Sequence, residues 1–272
     1  MTLDKFAVLL IFELVIGSVD NYKIYQFNTS NRDASLKYII TLPNNQRNTM
    51  KTFHSDPGTG IRNQRYRWPR LGNKIVVPFT LDSSADFTKL QIAKIYSAMR
   101  HISDRTCIKF KWRSTEIDYL SIYSGKWCMS YVGRIGGKQG LSLERSASCS
   151  NHIGTIIHEL VHALGFFHMQ NHANRDQYVS VINENISDDG VNQFQKIAAW
   201  EATNFGTPYD YFSIMHYGMY VFSKNGKPTI LTHGGKYNQI IGQNSKLSEG
   251  DIKRIRNMYR CNCVEKRGYK MC

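Results

Sequence analysis

The sequence predicts an α+β fold. Three observations support it. Short β-branched or alternating runs lie between residues 74 and 123. Amphipathic helical stretches carrying capping signals sit among and after them, and 272 residues are enough to bury a sizeable core.

From the start of the chain, Lys5 precedes an apolar run from Phe6 to Ile16 that closes on the small residues Gly17 and Ser18. This pattern predicts a secretory signal over residues 1–18, although Asp4 and Glu13 are unusual charges for one. The run is too short to span a bilayer and no later stretch is apolar enough, so no membrane anchor is expected after signal removal. Residues 19–65 are polar, rich in Asn, Thr, Gln and Arg, and read as a pro-segment. Arg62, Arg65, Arg67 and Arg70 cluster near its end, either as a place for an activating, trypsin-like protease to cut or as a solvated basic loop. The main folded domain is assigned to residues 66–262, and a short cysteine-containing tail to 263–272.

Within the domain, Lys74 to Leu81 is a β-branched, apolar strand. Thr88 to Ser103 is helical, with Ile92, Ile95, Met99 and Ile102 on one face and Thr88 with Gln91 forming a capping box. Cys107 to Trp112 and Tyr119 to Tyr123 read as strands, and Gly133 to Gly140 as a loop. A second helix covers Ser150 to Leu164, helical potential recurs at Val191 to Ala199, and Ser248 with Asp251 begins the last helix.

Six cysteines, an even number with no C-x-x-C pair, fit an oxidising compartment and not a cysteine zinc site, and they permit fifteen pairings. Sequons at Asn28 and Asn185 agree with a secreted glycoprotein. The formal charge of +14 raises the question of a nucleic-acid partner. The basic residues are scattered and no nucleic-acid-binding motif accompanies them, so acidic substrates, matrix polymers or cell surfaces fit better.

The chemistry is concentrated at His158-Glu159-Leu160-Val161-His162-Ala163-Leu164-Gly165-Phe166-Phe167-His168. Residues four apart share a helix face, so His158 and His162 can point at one ion. Glu159 is placed to act on a metal-bound water as general base without ligating. Gly165 can take a left-handed conformation that ends the helix and turns His168 back as a third ligand. Three imidazoles leave one position open, as in catalytic and not structural zinc sites, with one Zn2+ per chain. Ile153, Ile157, Leu160, Val161 and Leu164 give this helix a core-facing side. His152, His172 and His216 lack ligand spacing and read as ordinary polar or loop histidines.

Further motifs surround this segment: Arg67-Trp68-Pro69; Tyr131-Val132-Gly133-Arg134 with Gly136-Gly137; Pro208-Tyr209-Asp210-Tyr211 leading into Ser213-Ile214-Met215-His216-Tyr217; and Leu247-Ser248. With them the chain resembles the astacin family of metzincins, from about Arg67 to Cys261. The resemblance implies a two-lobed metzincin catalytic domain, with a twisted sheet and the zinc helix above and a Met turn and C-terminal helix below. It implies a structural role for Met215, and Tyr217 beside the metal as a movable ligand or oxyanion donor. It also implies disulfides Cys107–Cys261 and Cys128–Cys149, leaving Cys263 and Cys272 to pair in the tail. Several positions depart from the pattern: Met169 stands where relatives usually place a Glu that anchors the new N-terminus after activation, and His172, Ala173 and Asn174 differ from the family's usual Arg, Pro and Asp. Phe53-His54-Ser55-Asp56 resembles the family's F-x-G-D, whose Asp fills the open zinc position in the latent form; the alternative is that Asp56 with Pro57-Gly58 starts a surface turn.

The expectation is therefore a secreted zinc endopeptidase acting on protein or peptide substrates. A catalytically inactive binding protein on a protease fold would typically have lost a ligand or the base, and this chain retains all of them. A structural zinc module would favour a fourth protein ligand, and the core offers none at matching spacing.

Overall fold

The computed structural model describes residues 57–145 and 149–261, together with the strands β1 (Tyr22–Ile24), β2 (Tyr38–Pro43), β13 (Val264–Lys266) and β14 (Tyr269–Met271). The signal segment, Asn28, Asp56, Cys263 and Cys272 fall outside the described residues.

A mixed sheet forms the upper part of the molecule. Its strands run β1-β2-β8-β9-β7-β5-β4, where β4 is Arg70–Leu71, β5 Lys74–Leu81, β7 Tyr119–Tyr123, β8 Cys128–Tyr131 and β9 Lys138–Ser142; β6 (Ile108–Trp112) pairs with β5. Neighbours β6-β5-β7-β9 are parallel, whereas β8 runs antiparallel to β9. Upstream strand β2 then lies parallel along the other edge of β8, with Tyr38 opposite Cys128 and Thr41 opposite Tyr131. The stretch read from sequence as a loop at 133–140 is partly strand, because Gln139 and Gly140 pair with Leu120 and Ser121 of β7. Periodicity could not find that strand, since its glycine has no side chain to alternate.

Helix α1 (Lys89–Ser103) starts at the predicted capping box, with the Gln91 amide donating to Thr88 Oγ1 at 3.2 Å and the Thr88 amide to Gln91 Oε1 at 2.9 Å. Helix α2 (Ile153–Ala163) packs against α1 and β8. Ile157, Leu160, Val161 and Leu164 are buried there as expected, but Ile153 is exposed at the helix start. Helix α3 (Glu249–Met258) begins at its own capping box, Ser248 with Asp251. Between α2 and α3 the chain is mostly irregular; the helical potential at 191–199 yields only the 3₁₀ turn Val191–Phe194. Short ladders pair β10 (Val179–Val181) with β12 (Ile230–Thr232), and β11 (Ala202–Thr203) with β3 (Gly60–Ile61).

Two hydrophobic cores result, and they give the two-lobed α+β architecture. One joins the sheet, α1, α2, Ile214, Met215 and the inner face of α3. The other contains Met169, Val179, Ile186, Phe194, Tyr209, Tyr217, Phe222, Ile230 and Ile241. Disulfides join Cys107 to Cys261, tying β6 to the end of α3, and Cys128 to Cys149, tying β8 to the approach to α2.

Residues 58–62, read from sequence within the pro-segment, are woven into this domain. Gly58 through Ile61 are buried, and a β-carbon on Gly58 would overlap the backbone of Thr203 and Asn204. Of the clustered arginines, read either as a place for a protease to cut or as a solvated basic loop, Arg62, Arg67 and Arg70 act as pegs. Arg62 Nη2 donates to the Ala199 and Ala202 carbonyls at 3.2 Å, and Arg67 Nη1 to the Met258 carbonyl at 3.4 Å. Arg70 Nη2 donates to the Tyr259 and Arg260 carbonyls. Guanidinium donors matched to backbone carbonyls across long sequence separations are invisible to composition, which registers only charge. The sequon asparagine Asn185 likewise serves the fold. It is 7% exposed, its Nδ2 donates to the Pro228 carbonyl at 2.7 Å, and its Oδ1 accepts from Asn225, so the amide a glycan would need is engaged.

Candidate active site

Helix α2 carries His158, Glu159 and His162, all at most 1% exposed. Its C-terminal carbonyls are satisfied by groups from distant segments. Gly133 and Gly165 amides donate to the His162 carbonyl, Trp68 Nε1 to the Ala163 carbonyl at 2.8 Å, and the Tyr259 hydroxyl to the Leu164 carbonyl at 2.7 Å. The helix stops at Gly165, whose φ of +105° is accessible to glycine and strained for other residues. The chain reverses, and His168 arrives opposite the two helical histidines.

The three rings converge through their Nε2 atoms. His168 Nε2 lies 3.1 Å from His158 Nε2 and 3.0 Å from His162 Nε2. His158 Nδ1 donates to the Ile214 carbonyl at 2.8 Å, and His162 Nδ1 to the Phe166 carbonyl at 2.7 Å. Each of these two rings therefore turns a lone pair, not a proton, toward the common point. Lone pairs crowded this closely repel unless a cation lies between them. Burial also drives all three imidazoles away from the protonated form: His162 is lowered to about 4, and His158 and His168 well below the usual value. Neutral, oriented imidazoles are the donor set that zinc takes, and this is a grouping of the described residues able to hold a metal ion.

Glu159 is fully buried beside this point. Neither carboxylate oxygen has a hydrogen-bond partner among the described residues, and burial holds its pKa well above the usual carboxylate range. A carboxyl so placed has high proton affinity and free lone pairs, as a general base requires.

Tyr217 is 1% exposed, with its ring centroid 4.5 Å from that of His168 and its far side packed on Phe194 and Phe222. Its amide donates to Gln170 Oε1 at 3.2 Å. Met215 is buried, and its carbonyl accepts from the Met169 amide at 2.8 Å, one residue past His168. Met169, in turn, is buried with its sulfur 3.7 Å from Arg254 Nη1.

Sequence reasoning missed part of the support. His216, read as an ordinary loop histidine, is buried and lowered to about 4 by desolvation. Its Nδ1 donates to the Tyr217 carbonyl and its Nε2 accepts from the Tyr209 hydroxyl, both at 2.7 Å. Asp251 was visible only as a capping residue, yet it also accepts from Ser213 Oγ at 2.6 Å and the Ile214 amide at 2.9 Å. Adjacency to the Met215 segment was the available signal for His216; for Asp251 there was none beyond its cap.

Comparison with known proteins agrees with this geometry. The family described as Astacin, a family of peptidases, matches residues 60–260. The chain is 37% identical to the low choriolytic enzyme of Oryzias latipes over 239 residues, covering 88% of this chain and 82% of that protein. It is 40% identical to zinc metalloproteinase nas-4 of Caenorhabditis elegans over 197 residues, covering 72% of this chain and 59% of the relative's length. Among solved structures, high choriolytic enzyme 1, a hatching enzyme zinc-protease of Oryzias latipes, superposes with a TM-score of 0.68 at 37% identity, covering 79% of this chain and 100% of that one.

Proposed function

This chain belongs to the astacin family of zinc metalloproteases, and we propose that it is a zinc-dependent endopeptidase made as a secreted, latent precursor. The observation that carries the reading is the convergence of three neutral imidazoles next to a buried carboxyl with no hydrogen-bond partner among the described residues. His158, His162 and His168 would hold one zinc ion per chain. When bound, zinc supplies Lewis acidity toward a water and the scissile carbonyl.

The side chains do the rest. Glu159 accepts a proton from the attacking water and delivers it to the leaving amine. Tyr217, seated on His168, presents its hydroxyl to the oxygen on which negative charge develops. Tyr209 and His216 brace the backbone from which that ring projects.

Two further features support latency and secretion. The β8 edge, which leads into Val132 and the Gly133 contact with the zinc helix, is covered by β2 in the uncut chain. Removing the upstream segment would bare that edge for an extended protein or peptide substrate to pair with. An activating protease is then expected to cut upstream of Gly58, because residues 58–61 are internal to the domain. Asp56, immediately before that boundary, would serve as the zinc-directed carboxylate of the latent form. The two disulfides and the N-terminal apolar run fit an extracellular setting, with Cys263–Cys272 as a third, tail disulfide and Asn28 as a glycosylation site.

The test is zinc content measured with casein cleavage, in the presence and absence of a chelator, on the cut and uncut chains. Stoichiometric zinc and chelator-sensitive cleavage by the cut chain alone are expected. Zinc-loaded, cut protein without activity would favour an inactive binding protein. Asp56→Ala in the uncut chain should release activity; a variant as silent as the intact precursor would remove Asp56 from the switch.

A further inference from the structure

We infer that Asp251 is a positioning residue for the metal centre, acting on His158 and Tyr217 through the turn Ser213–Tyr217. The inference rests on the zinc reading above. Asp251 sits in the first turn of α3 and is 3% exposed. Capping that helix requires one contact, the Ser248 amide donating to Asp251 Oδ2 at 3.0 Å. The carboxylate makes three more. Its Oδ1 accepts from Ser213 Oγ at 2.6 Å and Arg254 Nη2 at 2.8 Å, and its Oδ2 accepts from the Ile214 amide at 2.9 Å.

Ile214 links this carboxylate to the metal site. Its amide is held by Asp251, and its carbonyl accepts from His158 Nδ1. The orientation of a ligating imidazole is set by the hydrogen bond its other nitrogen makes. The position of that carbonyl depends on the residue whose other end Asp251 fixes. Ser213 Oγ also accepts from the Met215 amide at 3.1 Å, and the Met215 carbonyl receives the Met169 amide, next to His168. Two residues further on stands Tyr217. One buried carboxylate thus anchors the segment that touches two of the three histidines and presents the tyrosine.

A buried carboxylate needs a compensating charge, and the same helix supplies it. Arg254 is 2% exposed, lies 2.8 Å from Asp251 and 3.4 Å from Asp210, and rests its other nitrogen on the sulfur of Met169. Asp210 in turn accepts from Ser248 Oγ at 2.6 Å. The cation that neutralises the anchor is an internal side chain, so the anchor is assembled whether or not the upstream segment has been cut.

The experiment uses the wild-type chain and two variants, Asp251→Asn and Ser213→Ala, each cut upstream of Gly58 to its active form. Zinc affinity is read by chelator competition, ligand geometry by the visible absorption of the cobalt-substituted protein, and turnover by separate kcat and KM. Asp251→Asn should weaken zinc binding about 10–100-fold, the usual effect of losing an outer partner of a ligand, shift the cobalt bands, and lower kcat while leaving KM unchanged. Ser213→Ala keeps the Asp251–Arg254 pair and should move the same readouts in the same direction by less. A lower melting temperature with wild-type zinc affinity and an unaltered cobalt spectrum would mean that Asp251 only stabilises the fold, and the inference falls. If Asp251→Asn does not fold, Ser213→Ala decides on the same criteria. A wild-type chain that binds no zinc would overturn the metal reading itself, a failure distinguishable from the other.

Discussion

The Ile61 amide donates to the Gly165 carbonyl at 2.8 Å, and the Ile61 side chain fills the space a β-carbon on Gly165 would need, with Cγ2 2.7 Å from that position. Gly165 is the residue at which the zinc helix ends and the chain turns toward His168. The segment ahead of the catalytic motifs is therefore part of the turn that delivers the third histidine. The Phe167 amide, donating to the Thr59 carbonyl at 2.7 Å, repeats the contact one step further along.

From this contact, Ile61→Ala should cost about 2–5 kcal/mol, as for a fully buried aliphatic side chain that leaves a cavity. A chain beginning at Asn63 should lose more stability than one beginning at Pro57, and should bind zinc less tightly. Denaturant unfolding of the two truncations gives the comparison. Equal stability would mean that the β3 contacts contribute nothing to the domain.

Glu159→Gln should retain zinc and lose turnover by about two to four orders of magnitude, because the amide keeps the shape but cannot accept the proton. Its carboxylate makes no hydrogen bond to any described residue, so the fold should survive the change. Zinc stoichiometry and kcat measured on one preparation separate the two effects. Turnover near that of the wild type would remove Glu159 from the reaction.

Tyr217→Phe should lower kcat with little change in KM, because the hydroxyl acts on charge that develops in the transition state. The ring, held by His168, Phe194 and Phe222, should stay in place. A change confined to KM would instead assign the hydroxyl to substrate binding.

Acid should destabilise the protein at His216. Unfolded imidazole takes up a proton near pH 6.5, whereas buried His216 does so only near about 4. In that window the unfolded state binds more protons, so stability falls as pH falls from about 6.5 toward about 4. Melting temperatures across this range should drop for the chelated and the zinc-loaded chain alike. His216→Asn should be less stable at neutral pH but show a shallower slope. An unchanged slope in the variant would place the acid sensitivity elsewhere.

The sequence by itself determined whatever is periodic or local. His158 and His162 share a face because four residues make about one helical turn, Gly165 marks the helix end because few other residues tolerate its φ, and the Thr88–Gln91 and Ser248–Asp251 boxes span three residues each. Only the tertiary structure decided that residues 58–62 belong to the domain, that Arg62, Arg67 and Arg70 are pegs, that Gln139 and Gly140 lie in a strand, and that Asn185 is engaged in the fold. It alone revealed that Asp251 reaches the metal site through Ile214 and that His216 braces Tyr217. Each of these depends on the relative placement of groups that one turn of helix or one step of strand does not relate. Local spacing constrains which residues share a face; which distant carbonyl meets a donor is set only when the cores close and buried polar groups must find partners.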